Sequence, residues 1–377
     1  MASRVTRPSV VYLKPLSPFF IFIGTFPPYS FSHNKLTDTG LHNIRILIII
    51  VVMSTLTFIS IMGRFLVFDR NYIFALVDTL NALLVWIFVI TVLRYTVTKK
   101  HLYEKLLQNL TFIENVSTKL DEAPEKMINR KIFIYFMGMI LSELFVCCWY
   151  YIPRTSTQLK MFLVASLLHF QEEFIFVLYG ACICFTTINI LYVCHEKYKA
   201  LHNMLWEIRC SDIYDDLSLL KQIKEIRNLY NILQNITRIL NVLFVPQLLI
   251  LPLIATTWCL LFCIYLKSVD VNYYGNSSEY PYATISYIAA IFIGTSKIII
   301  KCDQIVQESK RIVTTAFHVK ESLSIYSSSY SEMEAFIVKI SIKPVVFTGC
   351  YFFEINRSLL YFILGNSVMY FMLLENF

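Results

Sequence analysis

The sequence predicts an all-α membrane protein of seven transmembrane helices, and three observations carry that expectation. Of its 377 residues 56% are hydrophobic and only 16% are charged, whereas a soluble domain has about a quarter of its residues charged. Mean hydropathy is +0.59. Seven separate stretches reach the roughly 20 predominantly apolar residues that a helix needs to cross hydrocarbon. Gly (9) and Pro (11) are too few for a loop-rich or disordered chain, while 30 Phe and 24 Tyr suit helices that face lipid and its interfaces.

The first segment, residues 1–42, is expected to stay cytoplasmic. Arg4 and Arg7 precede an apolar patch, Phe19 to Ile23, that superficially resembles a signal peptide. Pro15 and Pro18 come just before the patch and no small-residue cleavage site follows it, so it reads as a retained short helix, re-entrant or interfacial. Spans one to four are expected at 44–63, 73–93, 132–152 and 161–193, within the block 43–193. The fourth is long enough to continue past the bilayer as a helix.

A cytoplasmic segment, 194–238, comes next. Its Leu219, Leu220, Ile223, Ile226 and Leu229 recur at helical spacing opposite Lys221, Lys224 and Arg227. The apolar face needs a cover, and the segment around Ile305, Ile312 and Phe317, or another subunit, would supply one; the alternative is a helix lying on the inner leaflet. Spans five and six are expected at 239–266 and 281–300, within 239–300. A cytoplasmic helical anchor over 301–349 then leads to the last span at 350–374, within 350–377.

Orientation follows from the loops. The N-terminal segment and the three long connections hold 25 of the 33 Lys and Arg, and the three short connections hold 5. Basic residues near span ends favour the cytoplasm, so the N-terminus and long loops read as inside and the C-terminus as outside. The net charge of +7 is spread through every loop, which argues against nucleic acid as a partner. Most of the ten cysteines, such as Cys147, Cys148, Cys182, Cys184, Cys259 and Cys263, lie within apolar stretches, with no zinc-type spacing and none in an outer loop. They read as small buried hydrophobes.

Polar residues inside spans point to a ligand site, since an ionisable group in hydrocarbon costs about 2.5–3.5 kcal/mol and usually faces a cavity or a partner. The outer halves of the spans carry Asp78 and Asn81, Glu143 and Trp149, His169, Glu172 and Glu173, Trp258 and Tyr287. Asp78 and Asn81 are three residues apart and His169 and Glu173 four, so each pair shares a helix face. Acids beside aromatics would suit an amphipathic or cationic ligand. For any one of these residues, the alternative is a helix-to-helix hydrogen bond with no ligand.

Several apparent motifs do not carry chemistry. Asp69-Arg70-Asn71-Tyr72 hints at a G-protein-coupled receptor signature but follows the first span. Of the glycosylation sequons at Asn109, Asn115, Asn235, Asn276 and Asn356, only Asn276 falls in an expected outer loop. No phosphate-binding glycine loop, catalytic order of nucleophile and base, or metal-ligand spacing stands out, so neither an enzyme nor a cofactor is expected.

The C-terminus reads FTGCYFFEINRSLLYFILGNSVMYFMLLENF from Phe347 to Phe377. It resembles the insect gustatory receptors, whose last helix ends in Thr-Tyr, five hydrophobic residues and Gln-Phe. Here Met369-Tyr370, five residues and Asn376-Phe377 occupy those places, with Glu375 at the fifth hydrophobic position. Tyr351-Phe352-Phe353, the run Ile355 to Leu360 and, more loosely, Leu13 to Tyr29 resemble the family as well. Insect odorant receptors share the architecture.

The resemblance implies a tastant-gated, non-selective cation channel in the plasma membrane of a chemosensory neuron dendrite. It implies a homo- or hetero-tetramer around a pore lined by the last helix, with a small-molecule pocket in each subunit's outer half. Tyr370, Asn376 and Phe377 would then line the gate, and four copies of Glu375 would form an acidic ring favouring monovalent and divalent cations. An odorant receptor subunit that needs a co-receptor is the alternative, and a metabotropic receptor with reversed topology a more remote one.

Overall fold

The computed structural model describes residues 17–30, 33, 35–37, 40–67, 72–116, 138, 159–210, 215–267, 280–349, 353–362, 365, 369 and 372. These residues are almost all helical. Helix α1 (Ser17–Ile23) carries Pro18 in its first turn, where a missing N–H costs nothing. It buries Phe20 and Ile23 and ends at Gly24, whose φ of +82° lets Thr25 and Phe26 turn back onto the Phe20 carbonyl. A two-residue ribbon follows, β1 (Tyr29–Ser30) antiparallel to β2 (Lys35–Leu36).

Helices α2 (Gly40–Val67) and α3 (Tyr72–Thr98) pack against each other, and α4 (Lys100–Val116) continues from α3 after a turn at Lys99. Leu47, Ile48, Val51, Val52, Phe58 and Ile59 on α2 are exposed, as apolar side chains are when hydrocarbon is their solvent. Helix α5 (Leu159–Cys210) has 52 residues and α8 (Tyr280–Ser322) has 43. At 1.5 Å per residue they extend about 78 and 65 Å, far beyond a hydrocarbon layer of about 30 Å. They lie side by side and form the most extensive helix–helix contact.

Between them run α6 (Asp216–Leu243) and α7 (Val245–Lys267), which meet at Phe244 with a bend of 48°. Pro246 in the first turn of α7 cannot donate to the preceding turn, which gives the bend its cause. The expected start of the fifth span at 239 therefore falls inside α6, and the break comes five residues later. Helix α9 (Ser328–Ile342) is capped by Ser327, whose Oγ accepts from the Tyr330 N–H at 3.1 Å.

The last span starts later than the sequence suggests. Strands β3 (Thr348–Gly349) and β4 (Phe353–Glu354) pair antiparallel, and helix α10 begins only at residue 357 and is described through 362. Asn356 stops the strand and starts the helix: its Oδ1 accepts from the Ser358 N–H at 3.0 Å. Among the described residues, three helical stretches, Gly40–Met62, Leu76–Thr98 and Leu178–Cys210, are long and apolar enough to cross a membrane. The expected span at 132–152 lies outside the described residues except Gly138, and most of 363–377 does too.

One end of the molecule is a packed bundle of α4, α6, α9 and the extensions of α5 and α8. The apolar face of α6 is covered by α9, α4 and α5, with Leu219, Ile223 and Ile226 buried and Lys221 and Lys224 exposed. This corrects the expected cover: Ile305 and Ile312 are buried, but Phe317 faces outward at 46% exposure. Helix α8 reaches α6 where Tyr230 Oη and Ser309 Oγ share a hydrogen bond of 2.9 Å. Tyr198, Tyr230 and Phe336 stack edge to face at 5.8 and 5.6 Å, an arrangement that aromatic quadrupoles favour.

Candidate functional site

Helix α3 is predominantly apolar, so the carboxyl and the amide in its first half stand out. Asp78 and Asn81 lie one turn apart and are 1% and 3% exposed. Asn81 faces α7, across one of the larger helix contacts among the described residues. Thr257 on α7 donates to Asn81 Oδ1 at 3.0 Å and shares the same hydroxyl with the Ile254 carbonyl at 2.8 Å. Trp258, next in sequence, is 3% exposed. An amide and a hydroxyl thus pair between α3 and α7, with a buried carboxyl one turn away on α3 and a buried indole next in sequence on α7.

The seam continues in kind toward α2, where Trp86 Nε1 donates to Ser54 Oγ at 3.1 Å. Such pairs satisfy groups that hydrocarbon cannot. For Asn81 the observed partner is a neighbouring helix. Thr257 was not among the sequence candidates, because a lone Thr in an apolar helix looks bland until the facing helix is known.

The other candidates are placed less fully. His169, Glu172 and Glu173 fall on α5 and Tyr287 on α8, but their side chains lie outside the described residues. Glu143, Trp149, Asn276, Tyr370, Glu375, Asn376 and Phe377 also lie outside them. Among the described residues no cluster of His, Cys, Asp and Glu is arranged to hold a metal ion.

At the opposite end, polar clamps hold the connection between α9 and α10. Gln234 on α6 donates to the Lys343 carbonyl, and Asn241 Nδ2 donates to the Val346 carbonyl at 2.8 Å. The Ile355 N–H closes the turn on the Phe347 carbonyl at 2.7 Å. Arg357 in the first turn of α10 pairs with Asp303 on α8 at 2.8 Å. Further down, Arg227 pairs with Glu332 across α6 and α9.

Asp216 receives the N–H groups of Ser328 and Ser329 at 3.3 Å each. The Ser329 side chain, with those two N–H groups assisting, holds the Asp216 carboxyl below its ordinary 3.8. These contacts join the last helices to the bundle through named side chains.

The sequence matches the family model described as 7tm chemosensory receptor over residues 13–377. Among solved structures, the fold is similar to that of the insect olfactory receptor OR5 from Machilis hrabei, solved in complex with eugenol. That likeness has a TM-score of 0.60 at 12% identity and covers 98% of this chain and 99% of that chain. None of the curated proteins matches the sequence.

Proposed function

Because the chain belongs to the 7tm chemosensory receptor family, a family of multi-pass membrane receptors rather than of enzymes, we propose that it is a gustatory-type receptor: a non-selective cation channel opened by a small-molecule tastant. The observation that carries this reading is the family match over nearly the whole chain, residues 13–377. The receptor of similar fold was solved with eugenol bound, which supports a small organic ligand here. In this reading the chain works in the plasma membrane of a chemosensory dendrite, as a tetramer of identical or related subunits, with its N-terminus inside and its C-terminus outside.

The ligand would bind among the polar residues of the outer half. Asp78, Asn81 and Trp258 form one wall, and Glu143, Trp149, His169, Glu172, Glu173 and Tyr287 are the further candidates. Acids beside aromatics favour a bitter, amphipathic or cationic compound. Tyr370, Glu375, Asn376 and Phe377 would line the outer end of the pore. Gating is a population shift: the ligand binds the open arrangement more tightly and draws the last helices toward it.

Two tests address this reading. In microsomes, glycosylation at Asn276 and not at Asn109 or Asn115 is the expected result; modification at Asn109 or Asn115 would invert the topology and remove the channel layout. In cells expressing this chain alone, tastant-evoked cation current is expected. Current only with a second receptor subunit would favour the odorant-receptor reading, to which the olfactory structural neighbour lends weight.

A further inference from the structure

The first turn of α10 carries a cation in the wrong place for helix stability. Asn356 caps the helix through its Oδ1, and its carbonyl accepts from the Leu359 N–H at 3.1 Å. Arg357 therefore sits where the helix dipole is positive and a cation is disfavoured. Its offset comes from another helix. Arg357 Nε donates to Asp303 Oδ2 at 2.8 Å, with the Asp303 side chain 12% exposed and the Arg357 side chain 59% exposed. The carboxylate is fixed within the bundle and the guanidinium is presented at the surface.

Two charges flanking Asp303 on α8 are directed elsewhere. Lys301 lies over the Tyr192 ring of α5 at 5.1 Å, and Glu308 pairs with Arg311 at 2.7 Å. Asp303 is thus the acid that α8 directs at the base of the last helix.

We infer that Asp303 sets ion conduction by neutralising the guanidinium that Arg357 otherwise presents at the inner end of the pore. The inference rests on the reading of the last helix as pore-lining with a cytoplasmic start. In an assembly of four subunits Arg357 repeats four times around the axis. Four bare guanidiniums would repel cations, as charged rings do in channels generally, whereas four ion pairs would not. Asp303 is a positioning and charge-compensating residue, acting on the permeating ion through Arg357.

The test uses the full-length chain reconstituted in planar bilayers, with single-channel currents recorded in asymmetric KCl and quinine, sucrose or eugenol as probes. Asp303→Asn is expected to lower K+ conductance about twofold or more at low salt and to move the reversal potential toward that of chloride. The deficit shrinks at high salt, where the screening length falls to about 3 Å at 1 M. Removing the arginine as well, in D303N/R357Q, restores conductance and reversal potential, a rescue that a merely structural Asp303 would not show.

D303N channels that conduct and select like wild type overturn the inference. Should D303N fail to assemble, Arg357→Gln alone decides. Its conductance is expected to equal or exceed wild type, and a lowered conductance overturns the proposal. A wild-type chain that reconstitutes yet passes no cation current, either alone or together with a second receptor subunit, instead removes the pore reading itself.

Discussion

Thr257 on α7 donates a hydrogen bond of 3.0 Å to Asn81 on α3, 176 residues away in sequence. Both side chains are buried among apolar neighbours, so neither has water as an alternative partner. In a membrane such pairs are worth about 0.6 kcal/mol on average and up to roughly 1.7. This one ties α3 to α7.

Thr257→Val and Asn81→Leu are each expected to lower thermal stability in detergent, and the double variant to lose less than the sum. The coupling should fall near 1 kcal/mol, measured as a double-mutant cycle. Strict additivity would show that the two side chains do not interact.

The bundle around α6 and α9 should loosen in acid at Asp216. Its carboxyl is held below the ordinary value by the Ser329 side chain and the N–H groups of Ser328 and Ser329. A depressed folded value means that the stabilisation is complete above the unfolded value and is lost as pH falls through the folded one. Hydrogen exchange at the start of α6 and of α9 should therefore rise as pH drops through the acid end of the carboxylate range. Asp216→Asn should remove that dependence; an unchanged pH profile in the variant would count against the contact.

Gly24 should not tolerate a side chain. At φ +82° an added Cβ would lie 2.8 Å from Leu93 Cδ2 and 3.3 Å from Ile46 Cγ1. The left-handed conformation alone costs an L residue about 1–2 kcal/mol, and the contact adds to it. Gly24→Ala is expected to lower the detergent Tm and to expose α1 to protease. The carbonyl of Gly24 also accepts from Thr96 at 3.1 Å, so Thr96→Val should shift the Tm in the same direction by less.

Two acid substitutions separate pore from pocket. Glu375→Gln is expected to reduce divalent block and cation conductance while leaving the ligand concentration for half-activation unchanged. Glu173→Gln is expected to do the reverse, shifting ligand response at constant single-channel conductance. If both variants behave like wild type for every probe, those two residues have no part in the site.

Much of the fold was legible from local composition. The spans expected at 44–63, 73–93 and 161–193 fall within α2, α3 and α5, because hydropathy is a property of consecutive residues and every backbone group in hydrocarbon must be paired within a helix. The amphipathic face of α6 was equally plain, since periodicity alone reveals it. What covers that face was not, and Phe317 turned out to lie on the outer side of α8. The bend at Phe244 and the start of the last helix at residue 357 were missed for a related reason. An isolated Pro246 and an aromatic run ending at Phe353 are compatible with an unbroken apolar helix until neighbouring elements select the break.

By itself the sequence determined the class of protein, the helical character of its spans and the family resemblance at Tyr370 and Phe377. Only the tertiary structure decided which polar residues meet. Asn81 with Thr257, Asp303 with Arg357 and Asp216 with Ser329 each join residues on different helices. The physical reason is that helix formation draws on hydrogen bonds within about four residues, while pairing between helices depends on rotation, bend and register, which no local pattern records.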